Sequence, residues 1–287
     1  MMPRRLRQEA HSHAGTSDTG NMDTGDEAGA RLLLDVLSAG RGMVCAVGAG
    51  GKKSTLYRLA EAHRAVGSAR VAYTATVTVA APPARLFGEP LIGQGEDLAR
   101  QLSHALAERR LVAFVGPSSK PGRLGGLAPA FVADLHARHG LTATLVKADG
   151  ARMRLIKAPA GDEPVLPAGT ATVLPVVSVR AIGRPLDLAT AHRPDRVARI
   201  TGAAPGEPLA PIHLARLLAA ADGALHRVGE ATVVPVINMV DGPEAILAAR
   251  ETARQALALT RRFERVVLAA MTAAKPLVEV VGRRAAD

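Results

Sequence analysis

Met43-Val44-Cys45-Ala46-Val47-Gly48-Ala49-Gly50-Gly51-Lys52-Lys53-Ser54-Thr55 sets an apolar run, a glycine turn and a cationic helix start in immediate succession. Residues 43–47 are apolar without alternation, the pattern of a strand covered on both faces. The stretch 53–66 reads as a helix with Leu56, Leu59, Ala60 and His63 on one face. A strand, a glycine turn and a helix in this order make an anion site. The N–H groups of Gly48, Ala49, Gly50 and Gly51 can gather phosphate oxygens, and the helix presents the positive end of its dipole. A lysine here, Lys52, reaches the β/γ-phosphates, and a following hydroxyl, here Ser54, can hold Mg²⁺, with Thr55 beside it as a further hydroxyl for the ligand.

The general phosphate-loop pattern G-x-x-x-x-G-K-[ST] is met with two departures: Ala46 stands at the first glycine, and Lys53 stands where the hydroxyl belongs. A dinucleotide G-x-G-x-x-G fingerprint fails, because Lys53 occupies the third glycine position and no acid ends the second strand to meet a ribose. A glycine turn that binds nothing is the plainer alternative. Two lysines at the positive end of a helix are poor choices for packing alone, so phosphate binding is the stronger reading.

Outward from this stretch the chain alternates. Strands are expected at 70–74, 111–115, 141–147, 172–179, 232–237 and 265–270, and helices at 96–109, 128–139, 209–221 and 243–259. Pro175 places its strand near an edge or a bulge. The alternation predicts an α/β fold, a mostly parallel sheet with helices on both faces, P-loop NTPase-like. Residues 1–29 are poor in large apolar side chains and read as a disordered tail, with a short helix starting at Arg31 and one α/β domain over 30–287.

Composition excludes other classes. The chain of 287 residues is 48% hydrophobic, too apolar for a disordered protein. A single cysteine, Cys45, excludes a disulfide framework, and its place in a buried strand makes it a small core residue. No apolar run approaches the roughly 18 residues of a membrane span, and no apolar segment follows the basic start, so a cytoplasmic protein without membrane contact is expected. The net charge of +10 suggests a polyanion, yet the basic residues are scattered and aromatics make up 2%. Nucleic acid, which wants a basic stripe with stacking rings, is therefore not the expected ligand.

Further polar groups fall at strand ends. Lys147-Ala148-Asp149-Gly150 closes the fourth strand, where an aspartate can hold Mg²⁺ or its water, although Asp-Gly is also a common turn. Thr74 and Thr76 follow the second strand and offer hydroxyls to phosphate or metal. Asn238-Met239-Val240-Asp241 ends a late strand in the manner of the Asn-Lys-x-Asp element that reads guanine, while Asp241 would serve equally as a helix N-cap. His192-Arg193-Pro194-Asp195 is a charged loop that spacing alone does not assign.

The ordered set of motifs resembles the YqeC family over roughly residues 31–275. It comprises the loop at 48–52, the threonines after the second strand, and Ala148-Asp149-Gly150-Ala151 running on to Lys157-Ala158-Pro159. It continues with residues 163–167, 183–186 and 192–195 and the late Asn-x-x-Asp. That family is associated with selenium-dependent molybdenum hydroxylases as accessory proteins of P-loop type. The resemblance implies a phosphate loop of Gly48, Gly50, Gly51 and Lys52, a Walker-B-like acid at Asp149, and a base-reading pair at Asn238 and Asp241. It implies ATP or GTP with Mg²⁺ held by Ser54 and Asp149, and a molybdenum hydroxylase or its maturation factors as partner. Three positions depart from the family: Lys53 replaces Thr or Ser, Lys147 replaces Glu, and Met239 replaces Lys. Lys53 and Lys147 add positive charge beside the phosphates, favouring tight binding over metal-dependent turnover. The expected activity is nucleotide binding or hydrolysis in the maturation of such a hydroxylase, with Lys52 and Asp149 as the catalytic residues. A non-hydrolysing adaptor and a small-molecule kinase are the alternatives.

Overall fold

The computed structural model describes residues 24–283. The first half runs α1 (Thr24–Val36), β1 (Gly42–Gly48), α2 (Lys52–Ala65), β2 (Val71–Ala75), α3 (Ala84–Phe87), β3 (Leu91–Ile92), α4 (Gly95–Glu108), β4 (Leu111–Val115), α5 (Pro129–Arg138) and β5 (Ala143–Lys147). The second half runs β6 (Ile156–Lys157), β7 (Thr170–Ser178), β8 (Ala191–His192), α6 (Pro194–Thr201), α7 (Pro211–Ala219), β9 (Thr232–Val233), β10 (Val236–Asn238), α8 (Pro243–Leu259), β11 (Arg265–Ala269) and β12 (Leu277–Gly282).

Ten strands form one sheet in the order β12-β11-β10-β7-β1-β5-β2-β4-β3, with β9 beside β7. All pairings are parallel except the edge pair β11–β12. Strands β2, β4 and β5 are buried along their whole length, which explains their continuous apolar sequence. One face is covered by α1, α2 and α3 through Leu33, Leu37, Leu56, Leu59 and Phe87. The other is covered by α4 to α8, among them Leu102, Leu135, Val197, Leu214 and Leu257. Helix α8 shows why: Ala249, Thr252, Ala253, Ala256 and Leu257 recur at helical spacing and form its buried stripe. The expected fold, a mostly parallel sheet with helices on both faces, is what the chain adopts.

Several local expectations are corrected. Helix α1 begins at Thr24, not Arg31, so residues 24–29 are helical; the rest of the expected tail lies outside the described residues. Strand β7 is central, flanked by β1 and β10, so of the edge or bulge expected at Pro175 the edge is excluded, while the β1–β7 ladder shifts register between Met43 and Val44. The sheet accommodates this proline because β7 pairs β9 at Thr172 and Val173 and β10 from Val176 onward, leaving Pro175 opposite the break between them. The single strand expected at 232–237 is that same broken pair. The antiparallel β12 and the helix α6 gave no clear signal. Of the residues 192–195, His192 ends β8, Arg193 in the left-handed conformation is the N-cap of α6, and Pro194 and Asp195 open that helix.

Cys45 is buried in β1 with its sulfur 3.5 Å from the Thr170 hydroxyl. Burial pushes its thiol pKa up to about 12, against a small opposing effect of that contact, so it stays protonated and inert.

Candidate functional site

A parallel sheet brings the carboxyl ends of its strands to one edge. Here that edge collects Gly48 from β1, Lys147 and Asp149 from β5, Ser178 from β7 and Asn238 from β10. The loop between β1 and α2 turns through positive φ at Gly48 (86°), Gly50 (77°) and Gly51 (126°). Space adds to the demand for glycine at residue 50, since a Cβ there would lie 2.5 Å from the Ser178 nitrogen and 2.7 Å from the Leu155 oxygen.

The loop's amides divide into two groups. Gly48 donates to Asp149 Oδ2 at 2.8 Å, Ala49 to the Val176 carbonyl at 2.9 Å, and Gly50 to the Arg154 carbonyl at 3.1 Å. Those three hold the loop in place. The first bond of α2 runs from the Thr55 nitrogen to the Gly51 carbonyl, and no side chain caps the helix. The N–H groups of Gly51, Lys52, Lys53 and Ser54 therefore have no acceptor among the described residues. Four such donors at a helix start favour an anion. The free amides thus begin at Gly51, three residues after the first glycine of the loop.

Lys52 is buried, with its ammonium on the Gly48 carbonyl and 2.9 Å from Asp149 Oδ1. That ammonium is the one partner of Oδ1 among the described residues. Asp149 Oδ2 meets Lys157 at 2.9 Å, Lys157 meets Glu163 at 2.8 Å, and Glu163 meets Arg193 at 2.8 Å. Lys147 donates to the Asp149 main-chain carbonyl at 2.8 Å and forms no ion pair among the described residues. Burial pulls the Lys52 pKa down, and Asp149 opposes this without cancelling it. Burial and then the nearby Lys52 charge bring Lys147 down to about 8.

Lys157, Glu163 and Arg193 had no assigned role in the sequence. Their only signal was membership of the motif stretches 157–159, 163–167 and 192–195. Burial alone would raise Glu163; its bonds from Lys157, the Ala160 amide and Arg193 outweigh that and take it down to about 2. A carboxyl held below its unfolded value stabilises the fold above pH 4.5 and loses that contribution as pH falls toward 2. Allowing for solvent at its partly open edge, the contribution is on the order of 2 kcal/mol. Glu163→Gln should accordingly flatten the stability profile between those pH values in acid titrations followed by circular dichroism. An unchanged acid limb would show that the pairing contributes nothing.

The other expected site residues are dispersed in role. Asn238 is buried; its amide nitrogen donates to the Gly50 carbonyl at 2.9 Å and its oxygen accepts from the Met271 amide at 3.1 Å. It braces the loop against β11. Asp241 is half-exposed and pairs with Arg180 at 2.7 Å. Met239 adopts positive φ (62°) and its sulfur takes the Ser178 hydroxyl at 3.1 Å. Thr55 bonds back to the Gly51 carbonyl at 3.1 Å, and Thr76 bonds to the Val165 carbonyl at 2.7 Å. Thr74 is buried in β2 with no partner for its hydroxyl among the described residues. Ser54 and Lys53 are half-buried in the first turn of α2.

Magnesium fits these groups poorly. Both oxygens of Asp149 are engaged by ammonium groups, and Glu163 is engaged by Lys157 and Arg193. Among the described residues no cluster of three or more His, Cys, Asp or Glu could hold a metal ion. No helix among them is long and apolar enough to cross a membrane.

A family model described as YqeC protein matches residues 44–195, more than half of the chain. The chain belongs to the YqeC family. The match takes in the phosphate-loop candidate, Asp149 and the whole Lys157–Glu163–Arg193 chain of ion pairs, and leaves Asn238 and Asp241 outside. The chain is 29% identical over 202 residues to the uncharacterized protein YqeC of Escherichia coli strain K12, covering 69% of this chain and 75% of that one. Among solved structures it is similar to the hydrogenase maturation factor HypB of Archaeoglobus fulgidus, with a TM-score of 0.36, 12% identity, and 85% and 89% of the two chains covered. It is also similar to chloroplast FtsY of Physcomitrella patens, with a TM-score of 0.37, 14% identity, and 83% and 66% covered.

Proposed function

We propose that this YqeC-family protein binds the phosphate chain of a nucleotide, ATP or GTP, on the amides of Gly51–Ser54, and acts as an accessory factor in maturing a selenium-dependent molybdenum hydroxylase. The observation that carries the binding half is the set of four unpartnered amides at the start of α2 beside the buried Lys52. Lys52 reaches the phosphates by leaving the Gly48 carbonyl, while Asp149 keeps Lys157 and the Gly48 amide. In this reading Asn238 shapes the loop, and Asp241 is left as the candidate for the base. The hydroxylase half comes from the family resemblance, and disruption of the gene tests it: a host whose selenium-dependent hydroxylase stays fully active without this protein overturns it.

Calorimetry with ATP, GTP and ADP tests the binding half. Wild type should bind at least one of them, and Lys52→Ala should weaken that binding about 100-fold, as loss of a buried charge contact of roughly 3 kcal/mol implies. Wild type that binds none of the three overturns the reading. Binding without turnover is favoured over hydrolysis, because the acid nearest the loop stays paired with Lys157 and the Gly48 amide when Lys52 turns to the phosphates. Phosphate release at the background rate with nucleotide bound is the expected result.

A further inference from the structure

The arrangement of charge around Asp149 narrows the form of the ligand. Three buried ammonium groups meet Asp149, those of Lys52 and Lys157 at its carboxylate and that of Lys147 at its main-chain carbonyl. Asp149 spends Oδ1 on Lys52, and Oδ2 on Lys157 and the Gly48 amide. Lys147, also buried, has among the described residues only main-chain carbonyls as acceptors: Asp149 at 2.8 Å and Thr78 at 3.5 Å. Glu163, the next acid along, is already shared by Lys157 and Arg193.

Even with Lys52 turned to the phosphates, a divalent cation brought to Asp149 would compete with Lys157 and the Gly48 amide at Oδ2 and lie among buried ammonium groups, repelled at short range in a poorly solvated place. An anion meets the opposite situation. Buried positive charge without a matching carboxylate is stabilised by phosphate oxygens, and four free amides point to where they would lie. Resting on the phosphate-binding reading above, we infer that this site takes its nucleotide as the metal-free polyanion, its countercharge supplied by buried lysines in place of magnesium.

Three features belong together in this inference. Lys147 is the residue that makes the acid neighbourhood unfit for a metal, since it adds a cation with no carboxylate of its own. The half-buried Lys53 in the first helical turn adds a second cation where a metal-ligating hydroxyl would otherwise follow the loop lysine. Of the expected pair Ser54 and Asp149, only Ser54 carries no ammonium partner among the described residues.

The test is calorimetry of the full-length wild type with ATP and with GTP, once in excess MgCl₂ and once in excess EDTA. The expected result is a Kd in EDTA within tenfold of that in magnesium. A Kd weakened more than tenfold by EDTA overturns the inference and leaves nucleotide binding intact. Absence of binding in both buffers overturns the inference together with the reading it rests on. The variant Lys147→Glu, checked for its circular dichroism spectrum, supplies the second measurement. It removes the unpaired cation and adds an acid beside Asp149, so its binding should become at least tenfold tighter with magnesium than with EDTA. A folded variant that gains no magnesium dependence overturns the part given to Lys147.

Discussion

Replacing Asp149 with asparagine should lower stability by about 3–5 kcal/mol at neutral pH, although the shape of the side chain is kept. The carboxylate lies between Lys52 and Lys157, each 2.9 Å away, and its side chain is 3% exposed. Without it, Lys157 keeps Glu163, but Lys52 is left with only the Gly48 carbonyl, and Lys147 stays without an acid. Burial of an unpaired ammonium is the largest single penalty available in this site. Thermal unfolding should show it as a fall of about 10 °C. A second substitution separates charge from shape. Asp149→Asn combined with Lys52→Met removes both members of the pair, and should recover part of the loss, because an uncharged pair needs no compensation. A double variant as unstable as the sum of its two single variants would show that the pair carries no coupling energy.

Gly50→Ala should cost about 3 kcal/mol, where Gly150→Ala, in the same site, should cost less than about 0.5 kcal/mol. Residue 50 has φ of 77°, and an added Cβ would meet the Ser178 nitrogen at 2.5 Å, and the Leu155 oxygen and Ser178 Cβ at 2.7 Å. Two of those atoms are main chain, held in β7 and at the start of β6, so neither can swing away. Gly150 has no atom within 4 Å of the same construction. Gly51 is an intermediate case, because the group its Cβ would strike is the Asn238 side chain. Denaturant midpoints of the two alanine variants check the contrast. Equal midpoints would mean that the loop can be rebuilt at no cost, and that its present path is not required by its neighbours.

The loop's helix start illustrates what was legible and what was not. A strand ending in glycines and followed by lysines is a local pattern, and it points to an anion from the residue types alone. Which amides remain free was not legible, because the acceptors for residues 48, 49 and 50 come from residues 149, 176 and 154. Lys157 gives the same lesson. In the chain it is a lysine before Ala158 and Pro159; in the fold it joins Asp149 to Glu163 inside the protein. Pro175 was ambiguous for a related reason. Its missing amide predicts an edge or a bulge, and only the broken partner strand, β9 then β10, shows how a central strand tolerates it.

The amino-acid sequence alone determined the parallel α/β architecture, since hydrophobic periodicity and the placing of glycine and proline are local properties. It also determined the strand, glycine turn and helix at residues 42–65, because glycines and lysines at a helix start act within a few residues. The tertiary structure decided which carboxylate belongs to which ammonium, that Asn238 braces the loop, and that Asp149 is held by two lysines. These partners lie up to 188 positions apart. Only the closing of a parallel sheet, which lines the carboxyl ends of its strands along one edge, brings such distant residues within hydrogen-bond reach.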